Sequence, residues 1–274
     1  MKSEKSAAGW QPLRGAMDAL VSVLFPAACR VCRQPLATTS RVPVCQACLA
    51  ALRRIQAPLC RACGRPLPPA AAAFAAPVCH ACRHGLYHFD LARSFAIYDS
   101  PMERILLLLK YDPLVPLAAW FAARIEEVVH AEPALAEVDW IVPVPLDRHR
   151  LRERGYNQAE LIARPLARRL GLPLATDLLR RLRSRPPKLK LSRRERWETV
   201  RGAFEAFGSG RVDSSRILLL DDVLTSGATL DACARALRTA GAAAVHAVTV
   251  ARVLPRAELA ASGDNPWSGP SVTP

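Results

Sequence analysis

Aromatic residues make up only 6% of this 274-residue chain, and only five of its 38 basic residues are lysines (Lys2, Lys5, Lys110, Lys188 and Lys190). The first shortage counts against a surface built from stacking platforms, since single-strand nucleic-acid binders interleave aromatic with basic side chains. The second makes the positive charge almost wholly arginine, the side chain suited to bidentate contact with phosphate oxygens. The same arginine, alanine and proline bias also reads as genomic base composition. No stretch approaches the ~20 uncharged apolar residues of a membrane span. The most apolar N-terminal run, Pro12 to Ala28, is broken by Arg14 and Asp18 and lacks the clean apolar region of a secretory signal, so a cytoplasmic location is expected. There is no GxxxxGK[ST] element, which excludes a P-loop nucleotide site.

What is present is a folding composition, 51% hydrophobic and 23% charged, at a length that suits two domains. The formal net charge is +14, which points to a polyanionic partner: nucleic acid, a phosphorylated metabolite or an acidic membrane surface.

Eight of the nine cysteines form four C-x2-C pairs: Cys29/Cys32, Cys45/Cys48, Cys60/Cys63 and Cys79/Cys82. Each pair places two thiolates on one side of a tight turn, and two turns complete the four-sulfur shell of structural Zn2+. Two zinc ions are expected. Sequential sets close the shorter loops, Cys29/Cys32/Cys45/Cys48 and Cys60/Cys63/Cys79/Cys82, with an interleaved arrangement as the alternative. Four sulfurs leave no open coordination position, so the sites are structural, and each brings a local charge of about −2. The region has too few large apolar side chains to fold unaided, so metal binding must supply much of its stability. His80, His84 and His88 lie nearby but are not needed as ligands. Beyond the pairs themselves no repeat is expected. Cys233 stands apart in a helical pattern and reads as a small core residue.

From about residue 87 apolar strand-like runs alternate with helical stretches, the pattern of an α/β domain with a mainly parallel sheet. Strands are expected at Leu91–Tyr98, Asp139–Pro145, Leu172–Thr176, Arg216–Asp222 and Ala244–Ala251, and helices near 102–110, 114–130, 156–170 and 228–240. Ser100-Pro101-Met102-Glu103 reads as a capping box, and Asp112-Pro113 as a second helix start. The chain therefore divides into an N-terminal helix (1–28), a cysteine-rich unit (29–86), the α/β domain (87–255) and a Ser-, Gly- and Pro-rich tail (256–274) expected to be disordered.

The most informative segment runs from Arg216 to Asp231: four apolar residues, two acids, a small hydroxyl-rich turn, then a helix. At the carboxyl edge of a parallel sheet, Thr225, Ser226, Gly227, Ala228 and Thr229 would wrap N–H groups and hydroxyls around a phosphate at a helix N-terminus. Asp221 and Asp222 would accept hydrogen bonds from ribose hydroxyls. A strand ending in a capped helix is the bland alternative, but two acids straight after a buried run are a costly place for charge without a ligand.

This segment resembles the type I phosphoribosyltransferases, whose signature is an apolar strand, two acids and a Thr/Ser-Gly phosphate loop. Together with VPVPLDRHRLRERGYNQAEL (142–161), LSRRERWETVRGAF (191–204) and the cysteine pairs, the chain is similar to the ComF family of competence-associated, phosphoribosyltransferase-like proteins across roughly residues 12 to 253. The resemblance implies a parallel sheet flanked by helices behind a double zinc ribbon, and phosphoribosyl pyrophosphate with Mg2+ as ligands. It places the pyrophosphate turn at Val144, Pro145 and Leu146, followed by Arg150 and Arg154. It also places a flexible hood across residues 180–201, with Arg193, Arg194 and Arg196 closing on the leaving group, a solvated basic loop being the alternative. Tyr156, Asn157 and Gln158 either face the cleft or cap a helix. Thr225 stands where enzymes of 6-oxopurines carry an aspartate base, which disfavours that substrate class. The implied activity is transfer of ribose 5-phosphate to a nitrogen nucleophile of unknown identity. The rival reading is a non-catalytic competence factor that senses a nucleotide or binds single-stranded DNA for uptake. Oligomeric state is not legible.

Overall fold

A run as apolar as Ile217-Leu218-Leu219-Leu220 suits a strand buried on both faces, and that is where the fold puts it. The structure, a computed structural model, describes residues 27–36, 41–182, 193–255 and 258–259. Among these described residues six strands form: β1 (Leu91–Ile97), β2 (Trp140–Pro143), β3 (Leu179–Arg181), β4 (Phe204–Ala206), β5 (Arg216–Leu224) and β6 (Ala244–Arg252). Four of them form a parallel sheet in the order β1-β6-β5-β2, while β3 and β4 make a small antiparallel pair.

Alternation along the strands divides the core in two. Ile217 and Leu219 face one apolar cluster, Leu218 and Leu220 the other. The ribbon region contributes the short helices α1 (Gln46–Ala50) and α2 (His80–Arg83). Helices α3 (Met102–Tyr111), α4 (Val115–His130) and the single turn α5 (Pro133–Ala136) follow β1, and α6 (Arg148–Arg154) and α7 (Gln158–Leu170) follow β2. α8 (Arg193–Val200) and the short α9 (Ser209–Val212) flank β4, and α10 (Ala228–Thr239) joins β5 to β6. The helices α3, α4 and α7 cover the Leu218 face, and α10 with the β3–β4 pair covers the Leu219 face. No helix among the described residues is long and apolar enough to cross a membrane.

Four expectations need correction. No strand forms over Leu172–Thr176, where only Leu174 bridges Ile141. The parallel ladder uses Ile141 N–H to Pro173 O and Ala175 N–H to Ile141 O; its next donors in either direction would be Pro143 and Pro173, which have no N–H. β5 does not stop at Asp222 but stays paired with β6 through Leu224 and Arg252. The capping box is not made: Pro101 occupies the cap position of α3 without a side-chain bond. Nor does Asp112 start the next helix, whose cap is Leu114; the Asp112 carboxylate pairs with Arg30 at 2.6 Å instead.

The cysteine region contains a true repeat, which was not expected. CRVCRQPL (29–36) and CRACGRPL (60–67) fold alike: Cys29 and Cys60 N–H donate to the carbonyls of Gln34 and Arg65, both at 2.8 Å. Arg33 and Gly64 N–H both return to the first cysteine's carbonyl, and both residues are left-handed, at φ 65° and 67°. Only the second must be glycine, because a Cβ on Gly64 would lie 2.5 Å from the carbonyl oxygen of Ala92 in β1.

The two knuckles straddle the edge of the sheet. Cys29 and Cys48 belong to the α3–α4 cluster, Cys60, Cys63 and Cys79 to the α10 cluster. Between them Arg53–Ile55 pairs with β1, through Ile97 N–H to Arg53 O and Ile55 N–H to Phe95 O. The ribbon thus closes the free edge of β1. The expected N-terminal helix, up to residue 26, and all but two residues of the tail lie outside the described residues.

Candidate functional site

The carboxyl edge of the sheet gathers the candidate ligand groups. Because neighbours in a strand point to opposite faces, Asp221 and Asp222 diverge. Asp222, 7% exposed, sits on the α3–α7 side. There its Oδ2 accepts from Lys110 Nζ at 3.2 Å and from Gln158 Nε2 at 3.4 Å. Gln158 Oε1 in turn accepts from Arg154 at 3.1 Å, which links the acid to the basic helix α6. Tyr98, just past β1, has its phenol pushed up to about 12 by burial, with the carboxylates of Glu103 and Asp222 adding to the effect.

Asp221 is half-buried on the α10 side and takes the N–H of Asp222 at 2.8 Å. Burial, then the neighbouring Asp222 charge, raises its carboxyl well above the usual range. The Arg181 guanidinium of β3 senses Asp147, Cys233 and Asp221, and burial lowers its own pKa. Cys233 is fully buried beside them.

The loop after β5 and the start of α10 hold Thr225 exposed and Ser226 and Thr229 half-exposed, with Gly227 and Ala228 buried. Gly227 is left-handed at φ 81°, and a Cβ there would fall 2.5 Å from Tyr87 Cε1. The Tyr87 hydroxyl donates to Ser226 O at 3.1 Å, so the ring props the loop from behind. Ser226 Oγ accepts from Ala228 N–H at 3.4 Å, while the cap residue of α10, Gly227, offers no side-chain bond, so the positive dipole end of the helix meets the loop without a side-chain cap from Gly227. On that first turn Asp231 accepts from the backbone N–H of His88 at 2.7 Å and pairs with its ring Nδ1 at 2.9 Å.

The expected pyrophosphate turn follows β2, the strand beside β5. Val144 N–H bonds Leu220 O, and Val144 O accepts from the Asn157 side chain at 3.0 Å. Asn157 also caps α7 through Ala159 N–H, and Tyr156 donates to Leu109 O. Pro145 and Leu146 are half-exposed. On α6, Arg150 and Arg154 share one half-buried face while Arg148 and Arg152 point to solvent. Of the segment expected to form a hood, Arg193, Arg194 and Arg196 lie on α8, their side chains outside the description, as are residues 183–192. Trp197 of α8 lies 5.9 Å from the Tyr87 ring, so this helix leans on the loop's support.

Each cysteine tetrad places its four sulfurs within 4.8 Å of one another, in the sequential sets. The Cys29–Cys48, Cys32–Cys45 and Cys63–Cys79 sulfurs are 3.9, 3.6 and 3.7 Å apart. A tetrahedron with Zn–S bonds of about 2.3 Å has edges of about 3.8 Å, so the spacing fits zinc. Backbone N–H groups of Val31, Cys45 and Cys79 point at sulfur from 3.3 to 3.4 Å, favouring thiolate. At Cys29 such bonds outweigh burial and bring the thiol down to about 7. Among the described residues these tetrads are the two groups that gather three or more metal-ligand side chains.

Sequence reasoning missed Lys110, Tyr87 and the His88–Asp231 pair. Lys110 offered one signal, a lysine kept at the end of a helix in a chain that otherwise uses arginine.

A family model for the double zinc ribbon domain matches residues 20–83, and one for the phosphoribosyl transferase domain matches residues 157–269. The chain is 32% identical over 232 residues to the DNA utilization protein YhgH of Salmonella typhimurium, covering 84% of this chain and 98% of the relative. It is 34% identical over 113 residues to competence protein F of Haemophilus influenzae, 41% of this chain and 49% of that one. The competence protein ComFC of Bacillus subtilis is 29% identical over 221 residues, covering 76% and 84%.

Proposed function

We propose a function from the premise that this chain belongs to the ComF family of competence proteins, with its double zinc ribbon and phosphoribosyltransferase-like domain. The protein binds phosphoribosyl pyrophosphate with Mg2+ and transfers ribose 5-phosphate to a nitrogen nucleophile. The observation that carries this reading is the glycine-containing loop opening a twelve-residue helix, without a side-chain cap from Gly227, at the carboxyl edge of the sheet. In this reading Thr225, Ser226, Gly227, Ala228 and Thr229 hold the 5-phosphate, and Asp222 holds ribose hydroxyls. Asp221, on the opposite side of the strand, braces the backbone through its bond to Asp222 N–H. Val144, Pro145 and Leu146 seat the pyrophosphate, with Arg150, Arg154 and the hood arginines Arg193, Arg194 and Arg196 around it. The C1–oxygen bond to pyrophosphate breaks, a C1–nitrogen bond forms, and the nucleophile loses a proton. Cations around the leaving group stabilise the charge that grows on it. Mg2+, where bound with the pyrophosphate, would supply further charge neutralisation beside these cations.

A second reading, a ribose-phosphate sensor that handles single-stranded DNA, is favoured by one observation. Tyr111 is 76% exposed at the rim, with the Arg154 guanidinium 5.9 Å from its ring, the aromatic-plus-cation pair a stacked base uses. The relatives' names, DNA utilization and competence, accord with a role in DNA uptake under either reading. Calorimetry with phosphoribosyl pyrophosphate and Mg2+, followed by pyrophosphate release with candidate bases and with oligonucleotides, tests both. Saturable binding with pyrophosphate release supports transfer, and binding without release supports sensing. No binding of phosphoribosyl pyrophosphate refutes both.

A further inference from the structure

The last residue of β6 brings a charge into the core that no carboxylate balances. Arg252 is 3% exposed, and among the described residues it forms no ion pair with an acid. One guanidinium nitrogen donates to the Cys63 carbonyl at 2.5 Å, the second lies 3.6 Å from Cys63 Sγ, and Nε has no hydrogen-bond partner. A buried cation without a counter-charge is among the most expensive things a fold can hold. The anionic group within reach is the tetrad Cys60/Cys63/Cys79/Cys82, whose four thiolates around Zn2+ carry a net charge of about −2. Three of these cysteines are themselves buried, so the attraction is little screened.

We propose that Arg252 is the counter-cation of the second zinc centre, a positioning residue through which the α/β domain sets that centre's hold on its metal. The ribbon and the sheet are then joined by charge as well as by packing. The position matters for the neighbouring site, because Arg252 is the register partner of Leu224, the residue before the phosphate loop. The inference stands whether or not the protein transfers ribose phosphate.

The test uses the full-length zinc-loaded protein with Arg252→Met, which keeps length and apolar bulk, and Arg252→Lys, which keeps the charge. Zinc release to a chromogenic chelator is followed in time, and the cobalt-substituted protein is examined for its thiolate-to-metal charge-transfer band. One of the two metal equivalents is expected to leave roughly 10–100-fold faster from Arg252→Met, the range for loss of an outer-shell partner. The other equivalent should leave at the parental rate, and Arg252→Lys should stay near the parent. The charge-transfer band of one cobalt equivalent should shift. If Arg252→Met does not fold, Arg252→Gln takes its place, keeping a donor for the Cys63 carbonyl without the charge. Unchanged release of both metals from a folded variant overturns the proposal. So does equal acceleration of both, or a lysine variant as fast as the methionine one.

Discussion

Replacing Asp222 with asparagine sets two effects of opposite sign against each other. The carboxylate is held by Lys110 at 3.2 Å and Gln158 at 3.4 Å, with side-chain exposures of 10% for Asp222 and 21% for Lys110. Removing the negative charge frees the ammonium and favours any bound anion. For a phosphate about 8 Å away, Coulomb's law gives roughly 0.5–2 kcal/mol in its favour between dielectric constants of 80 and 20. If the carboxylate accepts hydrogen bonds from ribose hydroxyls, its loss costs about 1.5–3 kcal/mol, or about ten- to a hundredfold in affinity. Inorganic pyrophosphate, which has no hydroxyls to bind, should therefore bind Asp222→Asn as tightly as the parent or more tightly. Phosphoribosyl pyrophosphate should weaken by about tenfold or more even after that electrostatic gain. Titration calorimetry on the folded variant with both ligands, in Mg2+, reads the difference. If both bind at least as well as to the parent, Asp222 does not touch the sugar and the ribose assignment is wrong.

Gly227→Ala meets an unfavourable backbone at φ 81° and the Tyr87 ring at 2.5 Å, and should lower stability by about 1–2 kcal/mol and weaken phosphate binding. Adding Tyr87→Ala should recover part of the loss in a thermal-melt cycle, and strict additivity would show that the ring is not the obstacle. Asp221→Asn should raise the melting temperature at pH 7. The raised folded-state pKa means that the native state binds a proton more tightly than the unfolded chain, so the parent loses stability as pH rises from the usual carboxylate range through the folded value. The asparagine variant escapes that loss, and its advantage should vanish in melts below pH 4. Replacing Arg193, Arg194 and Arg196 together with alanine should weaken phosphoribosyl pyrophosphate more than ribose 5-phosphate in paired titrations. Equal losses would mean that these arginines contribute only a general field.

The parts that sequence alone revealed share one property: their chemistry is contiguous. Four C-x2-C pairs and the segment from Arg216 to Thr229 each carry their own geometry in a few residues, so their spacing could be read directly. The supports of the site come from far away. Tyr87 meets Ser226 across 139 residues and His88 meets Asp231 across 143, and no local pattern announces such pairs. The failed strand at Leu172–Thr176 shows a different limit, because its fate depends on Pro143 in a partner strand as much as on its own Pro173. The divergence of Asp221 and Asp222 was not expected, because the strand was expected to end at Asp222; it follows from β5 continuing past them to Leu224. The knuckle repeat was legible too, once the residues between the cysteines are aligned as well as the cysteines themselves.

The order of the sheet has a consequence for the chain as it is made. Among the described strands β1, the first to leave the ribosome, pairs with β6, the last. At about 5–20 residues per second, the roughly 150 residues between them take about 8–30 s to synthesise, during which β1 lacks its β6 partner. The zinc knuckles and the Arg53–Ile55 segment are already complete by then and can shield one of its edges. Arg252 arrives only with the end of β6, so the second metal centre spends that interval without the arginine that later lies against it. Nascent chains halted before and after residue 252 should therefore differ in how readily a chelator strips one zinc, although their cysteines are the same.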